Sequence, residues 1–423
     1  MINVNMFEKD NLKVLGLLVR FNRNNMGLSL RDLGQLANVS HTQISNFERG
    51  IVILNSRTIN DIFKVLKINF YDGKDISEEF DRYFKQIFKH IMFYDYDEAK
   101  ILIEEIEVKK DIYENSILVV NFIIIRLLYY IITNTYLEDK DRILSQTENI
   151  LEFFSDTQKQ LFYFIQGLDK LNVEYYYDSR MFFRKALSLG NSKIDILIKE
   201  HYVVTLSKAY KWVDARLIAD ECILEYESQM NYVRAMRLRT RVAYDQIQIY
   251  HYDEAKEIYN YVKDFSIRYN VKDLENRCNT RLAYIAVLEK KYDIAERYLE
   301  KVGPEYAKIY YYVKFYILEN KKDKEKIINY YNEIINLSIG SKFKDFADHF
   351  TVLMMKNNNL SMDKKVYERI LWKLLDLSLS RDDADTIEYT AKTLIDFYKK
   401  ERYYKKALEA SEIYLHYLKF GVK

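Results

Sequence analysis

Between Leu28 and Gly50 the chain reads LSLRDLGQLANVSHTQISNFERG, a run that interleaves hydroxyl, amide, imidazole and guanidinium groups with a few apolar residues. The chemistry these groups permit is non-covalent: they donate and accept hydrogen bonds of the kind that base edges and phosphates offer. Two short helices are needed to position them. Ser29 with Asp32, and Ser40 with Gln43, have the spacing of a capping box, so helices begin about eleven residues apart. Leu33 and Leu36 on the first helix, with Ile44 and Phe47 on the second, are expected to supply apolar contacts, and Gly34 to let the helices approach closely. Asn38 suits the left-handed turn between them, and Gly50 suits the end of the second helix. Each signal alone is common in ordinary helical hairpins. Together, within 23 residues, they have the order that a DNA-reading helix-turn-helix requires.

The segment resembles the lambda-repressor-like, or XRE-type, helix-turn-helix through Leu33, Gly34, Asn38, Val39, Ser40, Ile44, Ser45, Phe47, Glu48 and Gly50, flanked by NLKVLGLLVRFNRNN and SRTINDIFKVLKI. Residues 1–70 are read as this domain. The resemblance implies that His41, Thr42 and Asn46 face base edges in the major groove of double-stranded DNA, Asn46 as a bidentate reader of adenine and the Thr42 methyl against a thymine methyl. Ser45 and Arg49 would lie nearer the backbone, with Gln43 between base and phosphate. The family commonly starts its second helix with a phosphate-touching Gln. Leu30 stands there in this chain, which leaves Arg31 as the candidate substitute.

Charge is distributed in keeping with that reading. Up to Phe70 there are nine Lys or Arg and five Asp or Glu, whereas the remaining 353 residues carry about −2 of the total +2. The excess is too small for tight binding by charge alone, so two copies or close complementarity are required.

The other residues are organised differently. One proline, Pro304, ten glycines and no Ser- or Gly-rich linker, with apolar residues at i, i+3 and i+4, indicate an all-α chain. Self-comparison finds a repeat: TRVAYDQIQIYHYDEAKEIYNYV from Thr240 and TRLAYIAVLEKKYDIAERYLEKV from Thr280 align without a gap at an offset of 40, superposing Ala243 on Ala283, Tyr244 on Tyr284 and Ala255 on Ala295. Ala215 holds the same place one copy earlier, and fainter copies lie around Ala99, Arg180, Glu325 and Ala407, with poorer ones near Lys140 and Val366. Roughly seven to nine helix pairs stacked as a solenoid follow from this, over residues 71–423. The unit resembles the tetratricopeptide repeat, with Ala243 and Ala283 as the small residue of the first helix and Ala255 and Ala295 as the alanine of the second. HEAT-like repeats are the alternative. The tetratricopeptide resemblance implies a right-handed solenoid whose first helices line a concave, peptide-binding surface. Arg237, Thr240, Tyr244 and Ile247, then Arg277, Thr280, Tyr284 and Val287, become the concave positions. Their Arg, Thr and Tyr would serve a peptide's carboxylate, backbone and apolar side chains, unless the tyrosines are inter-repeat core. Arg239, Arg241 and Arg281 are the donors if the register is shifted by a helix face.

A helix-turn-helix before such a solenoid resembles the RNPP family of peptide-controlled regulators. The resemblance implies a homodimeric, cytoplasmic transcription factor, acting on sporulation or virulence genes, that binds an inverted-repeat operator and a short signalling peptide. Two other readings stay open: a solenoid scaffold that inhibits a partner protein, as Rap-like relatives do, and a regulator with no peptide ligand. The carboxy-terminal stretch from Met362 to Lys423 is the candidate dimer surface, because terminal repeats must cap or pair their outer faces.

No enzyme, cofactor or metal is expected. Cys222 and Cys278 stand far apart, the six histidines are scattered, and no phosphate-cradling glycine loop or nucleophile elbow occurs. The apolar run from Ser116 to Thr133 approaches bilayer length, but Asn121 and Arg126 interrupt it, so a buried helix is expected rather than a membrane span. The amino terminus lacks the pattern of a signal peptide.

Overall fold

The computed structural model describes residues 9–71, 74–190, 194–302, 308–338 and 344–421; Pro304 lies outside them. The described residues are almost entirely helical, with one isolated bridge pairing Tyr71 and Ser116. The chain divides into two compact units. The first comprises Met1–Val173 and Met181–Ile198, and the second Glu174–Arg180 and Lys199–Lys423.

In the first unit the helices are α1 (Lys9–Asn25), α2 (Leu30–Ala37), α3 (His41–Glu48), α4 (Ser56–Val65), α5 (Lys74–Met92), α6 (Tyr96–Val108), α7 (Lys110–Glu114), α8 (Val119–Ile132), α9 (Lys140–Glu148) and α10 (Asp156–Asn172). Next in the chain, α11 (Tyr176–Leu187) and α12 (Asp195–Lys208) each give residues to both units. The second unit continues with α13 (Trp212–Ser228), α14 (Tyr232–Gln248), α15 (Tyr252–Arg268), α16 (Lys272–Leu288), α17 (Tyr292–Leu299) and α18 (Lys308–Asn320). It ends with α19 (Lys324–Ser338), α20 (Lys344–Lys356), α21 (Lys364–Arg381), α22 (Ala384–Lys400) and α23 (Tyr404–Phe420).

The helix α8 accounts for the long apolar run. Ten of its residues are buried, and its two polar interruptions are satisfied within the first unit. The amide of Asn121 accepts from Gln158 Nε2 at 2.8 Å, and Arg126 pairs with Glu107 and lies over the Phe122 ring. No helix among the described residues is long and apolar enough to cross a membrane.

The 40-residue repeat appears as a helix every 20 residues. Helices α13 to α16 are each 17 residues long, and α13 to α17 begin at positions 212, 232, 252, 272 and 292. The turns place Tyr210, Met230, Tyr250, Asn270 and Lys290 in the left-handed region, with φ between 54° and 65°. A non-glycine residue there costs about 1–2 kcal/mol. The cost is offset by closing hydrogen bonds of the Schellman type, such as Met230 N to Glu227 O at 3.0 Å and Asn231 N to Tyr226 O at 2.8 Å. Glycine is therefore dispensable at these turns, which is why the sequence carries so little punctuation. In the first turn of α13, α14, α15 and α17, Ala215, Ala235, Ala255 and Ala295 are buried, and their small side chains let neighbouring helices approach. Cys222 and Cys278 are buried free thiols, pushed up to about 12 by burial.

One ion pair is wholly enclosed in the second unit. The Arg234 guanidinium is fully buried and donates to Glu200 Oε2 at 2.6 Å, and the Tyr226 hydroxyl donates to the same oxygen at 2.6 Å. Burial alone would raise the Glu200 carboxyl; the charges of Arg234 and His201 and these hydrogen bonds outweigh it, leaving Glu200 below its ordinary value of 4.5. A carboxyl depressed on folding contributes stability that is present above 4.5 and lost as pH falls through its folded-state value. Thermal unfolding of the second unit should therefore move to lower temperature as pH drops below 4.5, and Glu200→Gln should flatten that fall. At neutral pH Arg234→Met, which strands the carboxylate, should cost about 3–5 kcal/mol in urea unfolding. An unchanged acid slope in Glu200→Gln would contradict the assignment.

Candidate functional site

Two places in the chain gather recognition chemistry, one in each unit. In the first unit α2 and α3 form the expected helix-turn-helix. Ser29 and Asp32 make a reciprocal capping box, with Ser29 N to Asp32 at 2.8 Å and Asp32 N to Ser29 Oγ at 3.1 Å. The hydroxyl and backbone of Ser29 hold the Asp32 carboxyl below its usual value. Ser40 Oγ accepts from Gln43 N at 3.2 Å and donates to the Gln43 side-chain oxygen at 3.1 Å, so that amide is turned back on the cap. Asn38 is left-handed, and a Cβ on Gly34 would come within 2.7 Å of Val39 O, which is the close approach the sequence implied. Gly50, with φ 65°, follows the end of α3.

One apolar expectation is corrected. Leu33, Gly34 and Ala37 form the buried arc of α2, whereas Leu36 falls outside that arc and is 61% exposed. On α3 the buried arc is Ile44, Phe47 and Glu48. His41, Thr42, Gln43 and Arg49 are exposed, Ser45 and Asn46 half-buried, and Arg31 on α2 exposed. By helical phase Thr42, Asn46 and Arg49 lie opposite the core, with Gln43 and Ser45 at the two edges of that face, while His41, seven residues before Glu48, sits on the side of the buried arc and is exposed at the start of the helix. The inward Glu48 carboxylate is met by Arg23 at the end of α1, through Nε at 2.6 Å and Nη2 at 2.8 Å, while Arg23 Nη1 donates to Leu28 O at 2.8 Å. This fork ties α1 to the base of α3. The signal for it is an acidic residue in the buried phase of α3, although its partner is 25 residues away.

In the second unit a cavity of about 590 Å³ is lined from α12, α14, α16, α18, α20, α21 and α22, together with Glu174 and Tyr176. Helices α14 and α16, the first helices of the two clearest repeats, face it. Tyr244 and Tyr284 are in its wall, as is Arg281. The structure does not bring the rest of the expected ladder there. Thr240 and Thr280 are buried and bond to carbonyls of their own helices, Arg237 O at 2.6 Å and Asn276 O at 2.8 Å. Ile247 and Val287 are core. Arg237 pairs with Asp273, and Arg277 is exposed away from the lining. Tyr244, Arg281 and Tyr284 therefore line the cavity, Arg281 standing one helical turn beyond the expected Arg277. Arg239 pairs with Glu227 at 2.8 Å, and Arg241 lies 3.5 Å from Asp245.

The remaining wall is built from residues that no repeat pattern marks. Lys208 contacts Asp383 at 3.0 Å and Asp385 at 3.2 Å, and the Tyr244 hydroxyl donates to Asp385 at 2.9 Å. Lys308 contacts Glu174 at 2.7 Å, and Arg381 contacts Asp345 at 2.9 Å. Burial would lower Lys208, but the charges of Asp383 and Asp385 outweigh it and keep it a firm cation. Burial would raise Glu174, and Lys308 and Arg381 reverse the direction. His349 is held below its usual value by burial and then by the Lys308 charge, so at neutral pH it is an uncharged imidazole. Burial raises the Tyr244, Tyr284 and Tyr389 hydroxyls, which stay protonated. With its aromatic wall and a few fixed charges, the cavity can hold an extended, partly polar organic ligand. Among the described residues no group of His, Cys, Asp or Glu side chains could hold a metal ion.

The first unit opens with a helix-turn-helix domain: residues 19–72 match the family model described as Helix-turn-helix. In fold the chain is similar to a Rap protein solved in complex with Competence and Sporulation Factor, with a TM-score of 0.68 at 15% identity, covering 81% of this chain and 98% of that one. It is also similar to the quorum sensor NprR from B. thuringiensis in its apo form, with a TM-score of 0.57 at 12% identity, covering 81% and 99%. A third likeness is to NprR in complex with its cognate peptide NprX, with a TM-score of 0.60 at 13% identity, covering 76% and 97%. No curated protein matches the sequence. The chain thus has the layout read from its RNPP resemblance, an XRE-type helix-turn-helix joined to the helical-repeat fold of Rap and NprR.

The Arg23 to Glu48 fork gives a direct test of how α3 is held. Arg23→Met leaves a nearly buried carboxylate without its cation and should destabilise the helix-turn-helix by about 3–5 kcal/mol. Hydrogen exchange should show lost protection in α1 to α4 and unchanged protection in α13 to α16. Equal protection in the variant would mean that the fork does not hold the domain together.

Proposed function

We propose that this chain is a DNA-binding transcriptional regulator controlled by a short signalling peptide bound in the cavity of its second unit. The observation that carries the reading is the free face of α3. Thr42, Asn46 and Arg49 lie together on it, opposite the packed Ile44, Phe47 and Glu48, with Ser45 and Gln43 at its edges and His41 exposed at the helix start, in a domain that matches a helix-turn-helix family. Arg31 serves beside that face as a phosphate contact, and Gln43 lies between base and phosphate. The peptide assignment is supported by the cavity, with Tyr244 and Tyr284 in its wall, and by likeness to the fold of NprR in complex with its cognate peptide NprX. Arg237 acts in this scheme by tying α14 to α16 through Asp273, and Thr240 and Thr280 by bonding within the helices that carry the two tyrosines, while Arg277 stays outside the site.

The regulator acts in the cytoplasm as a homodimer on an inverted-repeat operator, because two recognition helices about 34 Å apart meet successive major-groove faces. A surface for the second copy is the stripe of Tyr404, Leu408, Leu415 and Leu418, exposed on α23 at coiled-coil-like spacing. A second reading, a scaffold that binds and inhibits a partner protein, is favoured by Val213, Leu217 and Leu224. These form an exposed apolar row on α13.

Footprinting of the purified chain on genomic fragments tests the first reading. Asn46→Ala should weaken the protected site by about 1–3 kcal/mol and relax its sequence preference, and Arg49→Ala should reduce the salt dependence by about one phosphate contact. Unaltered footprints in both variants would remove α3 as the reading element, and would leave the scaffold. For the dimer, Leu408→Glu with Leu415→Glu should sediment as a monomer while keeping its helix content; a persistent dimer places the interface elsewhere.

A further inference from the structure

Four cations line the cavity of the second unit, and three of them are neutralised inside the fold. Lys208 is shared by Asp383 and Asp385, Lys308 is paired with Glu174, and Arg381 is paired with Asp345. Arg281 is different. No carboxylate among the described residues lies within ion-pair distance of it, and its guanidinium centre rests 4.4 Å from the centroid of the Tyr244 ring. Arg241, the equivalent residue one repeat earlier, approaches the same ring at 4.8 Å but has Asp245 beside it. Stacking on an aromatic ring fixes the guanidinium plane without using its five N–H donors. Arg281 thus has preorganised donors in an aromatic-walled cavity and no acceptor for them among the described residues. Three further polar atoms in the cavity's residues are buried without a hydrogen-bond partner among the described residues: Arg381 Nε, Asp385 Oδ1 and the Tyr389 hydroxyl.

We infer that the ligand of this cavity presents a free carboxylate to Arg281, which grips it through two parallel N–H···O bonds. This rests on the peptide reading above and narrows it to carboxylate-bearing peptides. The carboxylate comes either from the peptide's own end or from an Asp or Glu side chain. A guanidinium fork in a partly desolvated site discriminates strongly for such a group, since a charge-assisted bidentate pair is roughly twice as strong as neutral hydrogen bonds.

Three pools of synthetic hexapeptides test it against the full chain by calorimetry and thermal shift. The first pool lacks Asp and Glu and ends in a free carboxylate, the second is the same pool amidated, and the third is amidated but carries one Glu. The wild-type chain should bind the first or the third at least about tenfold more tightly than the second, and which of the two it prefers identifies the source of the carboxylate. In Arg281→Gln the preference should vanish, and Arg281→Lys, which keeps charge without the fork, should restore only part of it. Equal binding of all three pools to the wild type, or a preference that survives in Arg281→Gln, overturns the inference and leaves the peptide site standing. Binding of none of the pools overturns both. The wild-type preference is readable without any variant, so a folding defect in Arg281→Gln does not obscure the outcome.

Discussion

The second unit is organised around a single acidic turn, the RDDAD segment from Arg381 to Asp385 between α21 and α22. Its carboxylates are held from four other helices. Asp382, itself left-handed, takes Arg180 of α11 and the Tyr417 hydroxyl of α23. Asp383 and Asp385 take Lys208 of α12, and Asp385 also takes Tyr244 of α14. The partners are 35 to 202 residues away along the chain, so this turn joins the early helices of the unit to the last ones. Carboxylates are favoured at the start of α22 by its backbone amides, but taking them from water is costly. The arrangement holds because every carboxylate in the turn meets at least one cation, and removing one would leave the others uncompensated. The cavity is the space these ties leave between the repeat helices and the start of α22.

How far the sequence disclosed this depended on the range of each interaction. The helix-turn-helix was legible because capping boxes, a left-handed Asn38 and a helix-ending Gly50 act over three or four residues. Leu36 was misjudged because apolar spacing alone does not say which edge of a short amphipathic helix meets the core. The 40-residue repeat was legible too, since Ala243, Ala255, Ala283 and Ala295 are small for the same reason in each copy, the approach of a neighbouring helix. The ladder was legible only in part. Tyr244 and Tyr284, expected at concave positions, line the cavity, but Thr240 and Thr280 turn inward and satisfy their hydroxyls on their own helices. Of the arginines offered by the alternative phase, Arg281 lines the cavity. The RDDAD turn, Lys308 and Glu174 left no readable trace, because ion pairs between residues more than a hundred positions apart produce no local periodicity.

The same geometry connects the candidate ligand contacts to the frame of the unit. Tyr244 belongs to both: its ring supports Arg281, and its hydroxyl donates to Asp385, which shares Lys208 with Asp383. A ligand that engages Arg281 therefore acts on a residue whose other end is bonded to the first turn of α22. Because a ligand shifts a conformational equilibrium only by its differential affinity for the two states, the relevant quantity is how the Tyr244 to Asp385 bond differs between them. Lys208 is the cation shared by Asp383 and Asp385, at 3.0 and 3.2 Å, so a movement of the start of α22 that kept one of these contacts and broke the other would strand a buried carboxylate. A ligand carboxylate held by Arg281 would therefore meet the start of α22 through one tyrosine. An uncharged ligand filling the same volume would lack that lever on α22, whatever its affinity.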